Sequence, residues 1–240
     1  MLAINHATLA TAAVFAGSYY FNQPFFLPLI LFVIFSGVAP DIDHPGSELG
    51  QLFKPVARLL PHRGITHTIL GTAIFGSGLY FLFGADNQYL TYFLIFCAFF
   101  GVYLMNKILA GHINSLNEKT RNLISEKQVK ILLKVANFVV YGFLFSLLLV
   151  VWNPILKNQV FSLLLIGYVL HIVGDFVTIE GVPVFFPHKK KLGLKLFRTG
   201  SKTETMIGFL LFLANFYFLY QLNLRDNFVS LEYWRRYLSV

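Results

Sequence analysis

The chain has 240 residues, of which 56% are hydrophobic and only 12% charged, with a formal net charge of +8. A soluble domain carries roughly 25% charged residues, so this composition argues against a water-exposed globule and for a membrane protein. The positive charge sits in a few loops, a pattern that favours membrane topology over nucleic-acid binding.

A membrane-spanning helix needs ~20 mostly apolar residues. In chain order the runs that qualify or nearly do are 4–21, 24–40, 65–84, 89–109, 132–152, 160–180 and 205–223. They predict an all-α fold, a polytopic membrane helical bundle of about six or seven spans. Residues 1–223 form its membrane-embedded domain and 224–240 a C-terminal tail. The first run has no Lys or Arg before it and continues into a polar motif without a clear cleavage site, so it is expected to be retained. Asn22-Gln23-Pro24 predicts a tight connection between the first two runs, and Gly71, Gly76, Gly78 and Gly84 permit close helix contact along the third. Cys97 lies inside the fourth run and has no second cysteine to pair with.

Three loops hold most of the Lys and Arg. They carry Lys54, Arg58 and Arg63; Lys107, Lys119, Arg121, Lys127, Lys130 and Lys134; and Lys189, Lys190, Lys191, Lys195, Arg198 and Lys202. The intervening loops are nearly bare, which predicts a cytoplasmic N-terminus and cytoplasmic even-numbered loops. Arg225, Arg235 and Arg236 in the tail fit that topology less well if the seventh run crosses fully.

This topology brings the polar residues to one membrane face. His6 opens the first run, and Asp41, Asp43 and His44 follow the second in "VAPDIDHPGS". His62 and His67 in "HRGITHT" flank the start of the third, His171 and Asp175 close the sixth, and Glu204 opens the seventh. Ionisable residues in membrane segments are costly and usually mark function. A single intramembrane histidine is more often a packing residue, but imidazoles and carboxylates sharing one depth point to a divalent metal. His171 and Asp175 are four apart and project from one helical face. His62 and His67 are five apart, which suits a loop and a helix's first turn better than one face. Pro40 and Pro45 frame the turn that carries the aspartates. His112 and His188 lie among polar residues and are expected to be solvated.

The segments "PDIDHPGS", "HRGITHT", "GYVLHIVGDFVTIEGVPVFFP" and "TGSKTE" resemble, in order and approximate spacing, the YdjM family of membrane-bound, metal-dependent hydrolases. The resemblance runs from His6 to about Glu204 and implies a multi-pass protein of the bacterial inner membrane with its site facing the cytoplasm. More distantly, HIVGDFVTIEGVP is similar to a segment of zinc-dependent phospholipases C and single-strand-specific nucleases. There the His and Asp bind zinc and the Asp bridges two ions, which implies those roles for His171 and Asp175. His6, Asp41 or Asp43, and His62 or His67 are the implied counterparts of the remaining ligands.

These readings predict a metal-dependent phosphoesterase acting on a membrane lipid or lipid-linked substrate through a metal-activated water. The ions are expected to be zinc, with manganese or magnesium as alternatives. His6, Asp41, Asp43, His62, His67, His171 and Asp175 are the candidate ligands, Asp43 or Glu204 the general base. Arg63 would hold phosphate oxygens, with a topology charge or a partner to Asp41 as the plainer reading. Ser201 and the helix N-terminus behind it would bind an anion. Two other readings stay open: an amide or ester hydrolase using the same metals, and a transporter or scaffold with a structural metal. The sequence assigns no oligomeric state.

Overall fold

The computed structural model describes residues 1–83, 153–188, 190–228 and 230–238. The chain divides into two compact units, Met1–Gly84 with Ile155–Val240, and Ala85–Pro154. The first holds nearly all the described residues. The expected runs 89–109 and 132–152, with Cys97 and His112, lie outside them.

The first run forms α1, Ala3–Tyr20, within a residue of its expected limits. The second is a composite: a 3₁₀ turn at Leu27–Leu29, then α2 over Ile30–Val38, then a 3₁₀ turn at Ala39–Asp43. Prolines cause the division. Pro28 and Pro40 each lie in the first two positions of a 3₁₀ turn, where a missing N–H costs nothing. Two short helices follow, α3 (Glu48–Leu52) and α4 (Lys54–Leu59), and then a 3₁₀ turn at Ile65–His67. The third run is helical as α5, Ile69–Phe83. It starts later than expected because Thr68 Oγ1 accepts a hydrogen bond from Gly71 N at 3.0 Å and so caps the helix there.

The sixth run is helical as α6, Pro154–Val177, which begins six residues ahead of the predicted 160 and ends three short of the predicted 180. The seventh is α7, Lys202–Asp226, closed by Asn227 in the left-handed region at φ 47°. The tail is not irregular throughout: Leu231–Leu238 forms a further helix, α8. Among the described residues there is no β-strand, only isolated bridges pairing Thr178 with Phe197 and Val182 with Leu192.

The axis of the unit is α1, packed most extensively on α7 and next on α2. Among the described residues, two helices are long and apolar enough to cross a membrane, Leu156–Val177 and Lys202–Asp226. On α7, Met206, Phe209, Leu210, Phe212, Leu213 and Phe216 are each 48–60% exposed. Such an apolar outer surface is costly in water and suits lipid.

Close helix approach depends on two glycines near the polar residues. A methyl group at Gly208 of α7 would lie 2.2 Å from Asn5 Oδ1, and one at Gly174 of α6 would lie 3.0 Å from His6 Nδ1. A larger residue at either crossing would have to push Asn5 or His6 aside, and both crossings bring the start of α1 against the ends of its neighbours.

Candidate metal centre

α1 contributes His6 from its first turns, fully buried. Its ring stacks on His171 of α6 with centroids 3.7 Å apart and planes at 16°. His6 Nε2 lies 3.3 Å from Asp175 Oδ1, an oxygen that also accepts from the Met1 amine. Neither ring nitrogen of His6 makes a hydrogen bond of acceptable geometry. For a fully buried imidazole that is an expensive arrangement, which ligation of a cation would relieve.

The 3₁₀ turn at Ala39–Asp43 delivers the aspartates, and the loop after it holds itself in place. His44 N donates to Asp41 O at 3.0 Å, and Ser47 Oγ lies 2.6 Å from the same carbonyl. Ser47 also caps α3 by accepting from Gly50 N at 2.9 Å. His44 accepts from Gly46 N at 3.0 Å through Nδ1, and its ring meets that of His62 edge to face. It therefore stands at the rim of the cluster.

His67 is fully buried in the 3₁₀ turn before α5. Its Nδ1 lies 3.3 Å from Asp43 Oδ2, and its Nε2 lies 3.1 Å from His171 Nε2. His171 Nδ1 donates to Gly37 O at 2.8 Å, which leaves its Nε2 without a proton in the neutral ring. If the Asp43 carboxylate holds the His67 proton on Nδ1 in the same way, two Nε2 lone pairs face each other. Such a pair repels unless a proton or a cation lies between.

Carboxylates complete the group. Asp41 Oδ1 is 3.8 Å from His67 Nε2 and 3.6 Å from His171 Nε2, and Asp175 Oδ2 is 3.6 Å from His67 Nε2. In a tetrahedron the ligand-to-ligand edge is about 1.6 times the metal–ligand distance, so ligands about 2.0–2.2 Å from zinc stand about 3.3–3.6 Å apart. The observed separations, 3.1–3.8 Å, bracket that spacing, and the donor set suits a divalent ion. Three overlapping trios offer ligand atoms within 4.8 Å of one another: His6, His171 and Asp175; Asp41, His67 and His171; and Asp41, Asp43 and His62.

Asp43 is fully buried and both of its oxygens are engaged. Oδ1 meets His62 Nδ1 at 3.1 Å, while Oδ2 meets His67 and accepts a short hydrogen bond from Thr66 Oγ1. Burial alone would raise the aspartates, yet the surrounding imidazoles hold both below the ordinary carboxylate range. His67 and His171 act on Asp41, and His62 and His67 act on Asp43. Both are therefore anionic at neutral pH.

Arg63 is 8% exposed and sits at φ 55°, a backbone conformation costly for a residue with a side chain. Its Nε lies 2.9 Å from Asp175 Oδ2 and its Nη1 donates to Gly181 O at 3.4 Å. Its partner in the structure is thus Asp175, where the sequence suggested Asp41. Ser201 is the N-cap of α7, accepting from Glu204 N at 3.3 Å. Glu204 is fully buried, and its carboxylate accepts from Leu2 N at 2.6 Å, Asn5 Nδ2 at 3.0 Å and Gly200 N at 2.6 Å. Those bonds tie the start of α1 to the start of α7. No trio of possible ligands among the described residues includes Glu204.

The fold therefore brings together His6, Asp41, Asp43, His62, His67, His171, Asp175 and Arg63 from four segments. Other residues support them without having been anticipated. Thr66 holds Asp43, Asn5 holds Glu204, and Tyr168 donates to Thr66 O at 2.5 Å. Thr66 lies within the quoted HRGITHT motif and Tyr168 within GYVLHIVGDFVTIEGVPVFFP; Asn5 carries no motif signal, only a polar atom inside an apolar run.

The family model described as "YdjM inner membrane protein" matches residues 1–113 and 135–234. The chain belongs to the YdjM inner membrane protein family. Every cluster residue lies inside the matched segments. The chain is also similar to the inner membrane protein YdjM of Escherichia coli (strain K12), at 51% identity over 41 residues, covering 15% of this chain and 21% of that protein. The same values hold for the inner membrane protein YdjM of Shigella flexneri. The match thus spans about a fifth of the length of these curated relatives. No solved structure matches the chain.

Proposed function

We propose that this family member is a metal-dependent hydrolase of the inner membrane, a phosphoesterase acting on a lipid or lipid-linked substrate. One observation carries the reading: Asp41, His67 and His171 direct ligand atoms at one another at 3.1–3.8 Å, with Asp175 Oδ2 3.6 Å from His67 Nε2, the spacing of ligands around a divalent ion. His6, Asp41, His67, His171 and Asp175 would hold the metal, zinc being the best match to this donor set, and Asp43 and His62 would complete a second position. A divalent ion held there supplies Lewis acidity, which activates water and offsets phosphate charge.

The chain's own groups fit around that chemistry. His171 is held by Gly37 O with Nε2 facing inward, and Asp43 orients His67 in the same way. Arg63, fixed on Asp175, keeps that carboxylate turned to the cluster. The deep side of the group is dry, because His6, His67, His171 and Asp175 are buried. The His62 side is open, with that side chain 39% exposed. A structural metal site is closed by protein on every side, whereas a catalytic one keeps an accessible position, so the open flank favours catalysis over a scaffold.

The multi-span topology and a cytoplasm-facing site belong to the same proposal. Lys54, Arg58, Lys190, Lys191, Lys195, Arg198 and Lys202 are exposed in the elements around the cluster, the side where positive residues are retained.

The test is metal analysis of purified protein together with hydrolysis of a labelled phospholipid panel, in parallel with His171→Ala. Wild type should carry a divalent metal and release a phosphorylated or dephosphorylated product, and the variant should do neither while remaining inserted. Metal-loaded wild type that turns over a peptide or carboxylic ester panel and no phosphoester would replace this substrate class.

A further inference from the structure

Beside the cluster lies a cavity of about 510 Å³ between the His62–Thr68 segment and the loop that joins α6 to α7. Arg63, His62, His188 and Lys191 line it, together with the apolar faces of Phe186 and Pro187. No acidic side chain is among its lining residues. A pocket with four basic side chains and no carboxylate selects anions. Arg63 and His62 belong at once to this wall and to the cluster, through Asp175 and Asp43 respectively. An anion seated in the cavity is therefore next to the residues proposed to hold the metal.

The loop that walls the cavity has a second property. The Thr178–Phe197 and Val182–Leu192 bridges close it on itself, and Ile69 N, donating to Val184 O at 3.0 Å, ties it to the start of α5. Yet it turns its large apolar side chains outward: Phe185 is 58% exposed, Leu194 58% and Leu196 68%. Lys190, Lys191, Lys195 and Arg198, all exposed, are interleaved with them. A held loop with aromatic and aliphatic tips among basic residues is suited to the lipid headgroup layer. There the apolar tips enter the acyl boundary and the cations meet phosphates.

We propose that the cavity is a headgroup pocket for an anionic phospholipid, drawn laterally from the leaflet in which the Phe185–Leu196 loop is seated. This deepens the phosphoesterase reading by naming its substrate class. Arg63 and His62 form the inner wall next to the cluster, Lys191 and His188 provide charge at the mouth, and Phe186 and Pro187 contact the glycerol and the start of the acyl chains. A zwitterionic lipid brings a quaternary ammonium group into a basic pocket and is disfavoured.

The full chain, as purified in detergent, is titrated with dihexanoylphosphatidylglycerol, dihexanoylphosphatidylcholine and inorganic phosphate. Native mass spectrometry reads lipid binding, and the thermal midpoint without ligand reports folding. Phosphatidylglycerol is expected to bind about tenfold more tightly than phosphatidylcholine, and Lys191→Glu to weaken it about tenfold. Lys157→Glu, at the opposite end of α6 and outside both the loop and the cavity lining, should leave binding unchanged. If Lys191→Glu fails to fold, Lys191→Gln gives the same comparison with a smaller loss. Equal binding of the two lipids, full binding by the Lys191 variant, or inorganic phosphate binding as tightly as the lipid would each overturn the pocket. Selective binding without hydrolysis by metal-loaded protein would keep the pocket and reject the phosphoesterase. Hydrolysis without headgroup selectivity would do the reverse.

Discussion

The helices α1 and α7 run side by side, and the polar groups buried at their two ends are treated in opposite ways. At the far end, Arg225 spreads its guanidinium over Ser18 O at 2.8 Å, Gln23 O at 3.0 Å and the Asp226 carboxylate, capping the last carbonyls of α1. Close by, Tyr233 Oη donates to Phe25 O at 2.8 Å and accepts from Leu27 N at 2.7 Å. Donors there meet acceptors. At the near end, two histidine Nε2 atoms face each other, His6 has no hydrogen bond, and carboxylates crowd against imidazoles. The satisfied end is explained by folding alone. The frustrated end is not, and its frustration is what a bound cation would relieve. Capping by Arg225, with Asp226 beside it, also gives that arginine a structural role, so it need not count as a topology signal.

Asp175→Asn should produce the largest effect and break this contrast most directly. It keeps the volume but removes the charge that meets Met1 N, His6, Arg63 and His67. Metal content should fall to background and phospholipid turnover by at least about 10³-fold, as when a group central to a catalytic unit is lost. Folding, followed by size exclusion in detergent, should survive, because Asn keeps the shape of the side chain and still presents an oxygen to Arg63 and the Met1 amine. Unchanged metal content would remove Asp175 from the ligand set.

Asp43→Asn sharpens the division of labour within the near end. Both Asp43 oxygens are occupied by His62, His67 and Thr66, so its main part is to orient His67. Loss of such an orienting carboxylate typically costs about 10–100-fold in metal affinity. Competition with a chelator would measure it. A loss as complete as that of Asp175→Asn would instead make Asp43 a ligand of the first ion as well as of the second position.

How much of this was legible in the sequence depends on whether a residue's role is local. That His171 and Asp175 share a face follows from four-residue spacing. That an apolar chain collects His and Asp at helix ends is visible because such residues are expensive in lipid. The S-x-x-E pattern at Ser201–Glu204 is a helix-capping signature, and the structure uses it largely so. The pairing of Arg63 with Asp175, and the different engagement of Asp41 and Asp43, depend on where loops cross residues more than a hundred positions away. No local period encodes that. The helix Leu231–Leu238 is a different case: Tyr233 and Tyr237 stand one turn apart with Arg235 and Arg236 between them. That amphipathic spacing was present in a segment too short and too charged to count as a span.

Tyr233→Phe is the smallest change and tests the satisfied end. Tyr233 is 2% exposed and its ring packs among Phe26, Phe228 and Tyr237, contacts that Phe keeps. Only the hydroxyl goes, which leaves Phe25 O and Leu27 N without this partner in the α1–α2 connection. The expected cost is about 1–2 kcal/mol, read as a lowered thermal midpoint in detergent. Metal content and turnover at a permissive temperature should match wild type, because the cluster is assembled at the other end of α1. If metal is lost in step with stability, the two ends are coupled through the helix. The far-end hydrogen bonds would then help to hold the cluster residues in place and could not be assigned to folding alone.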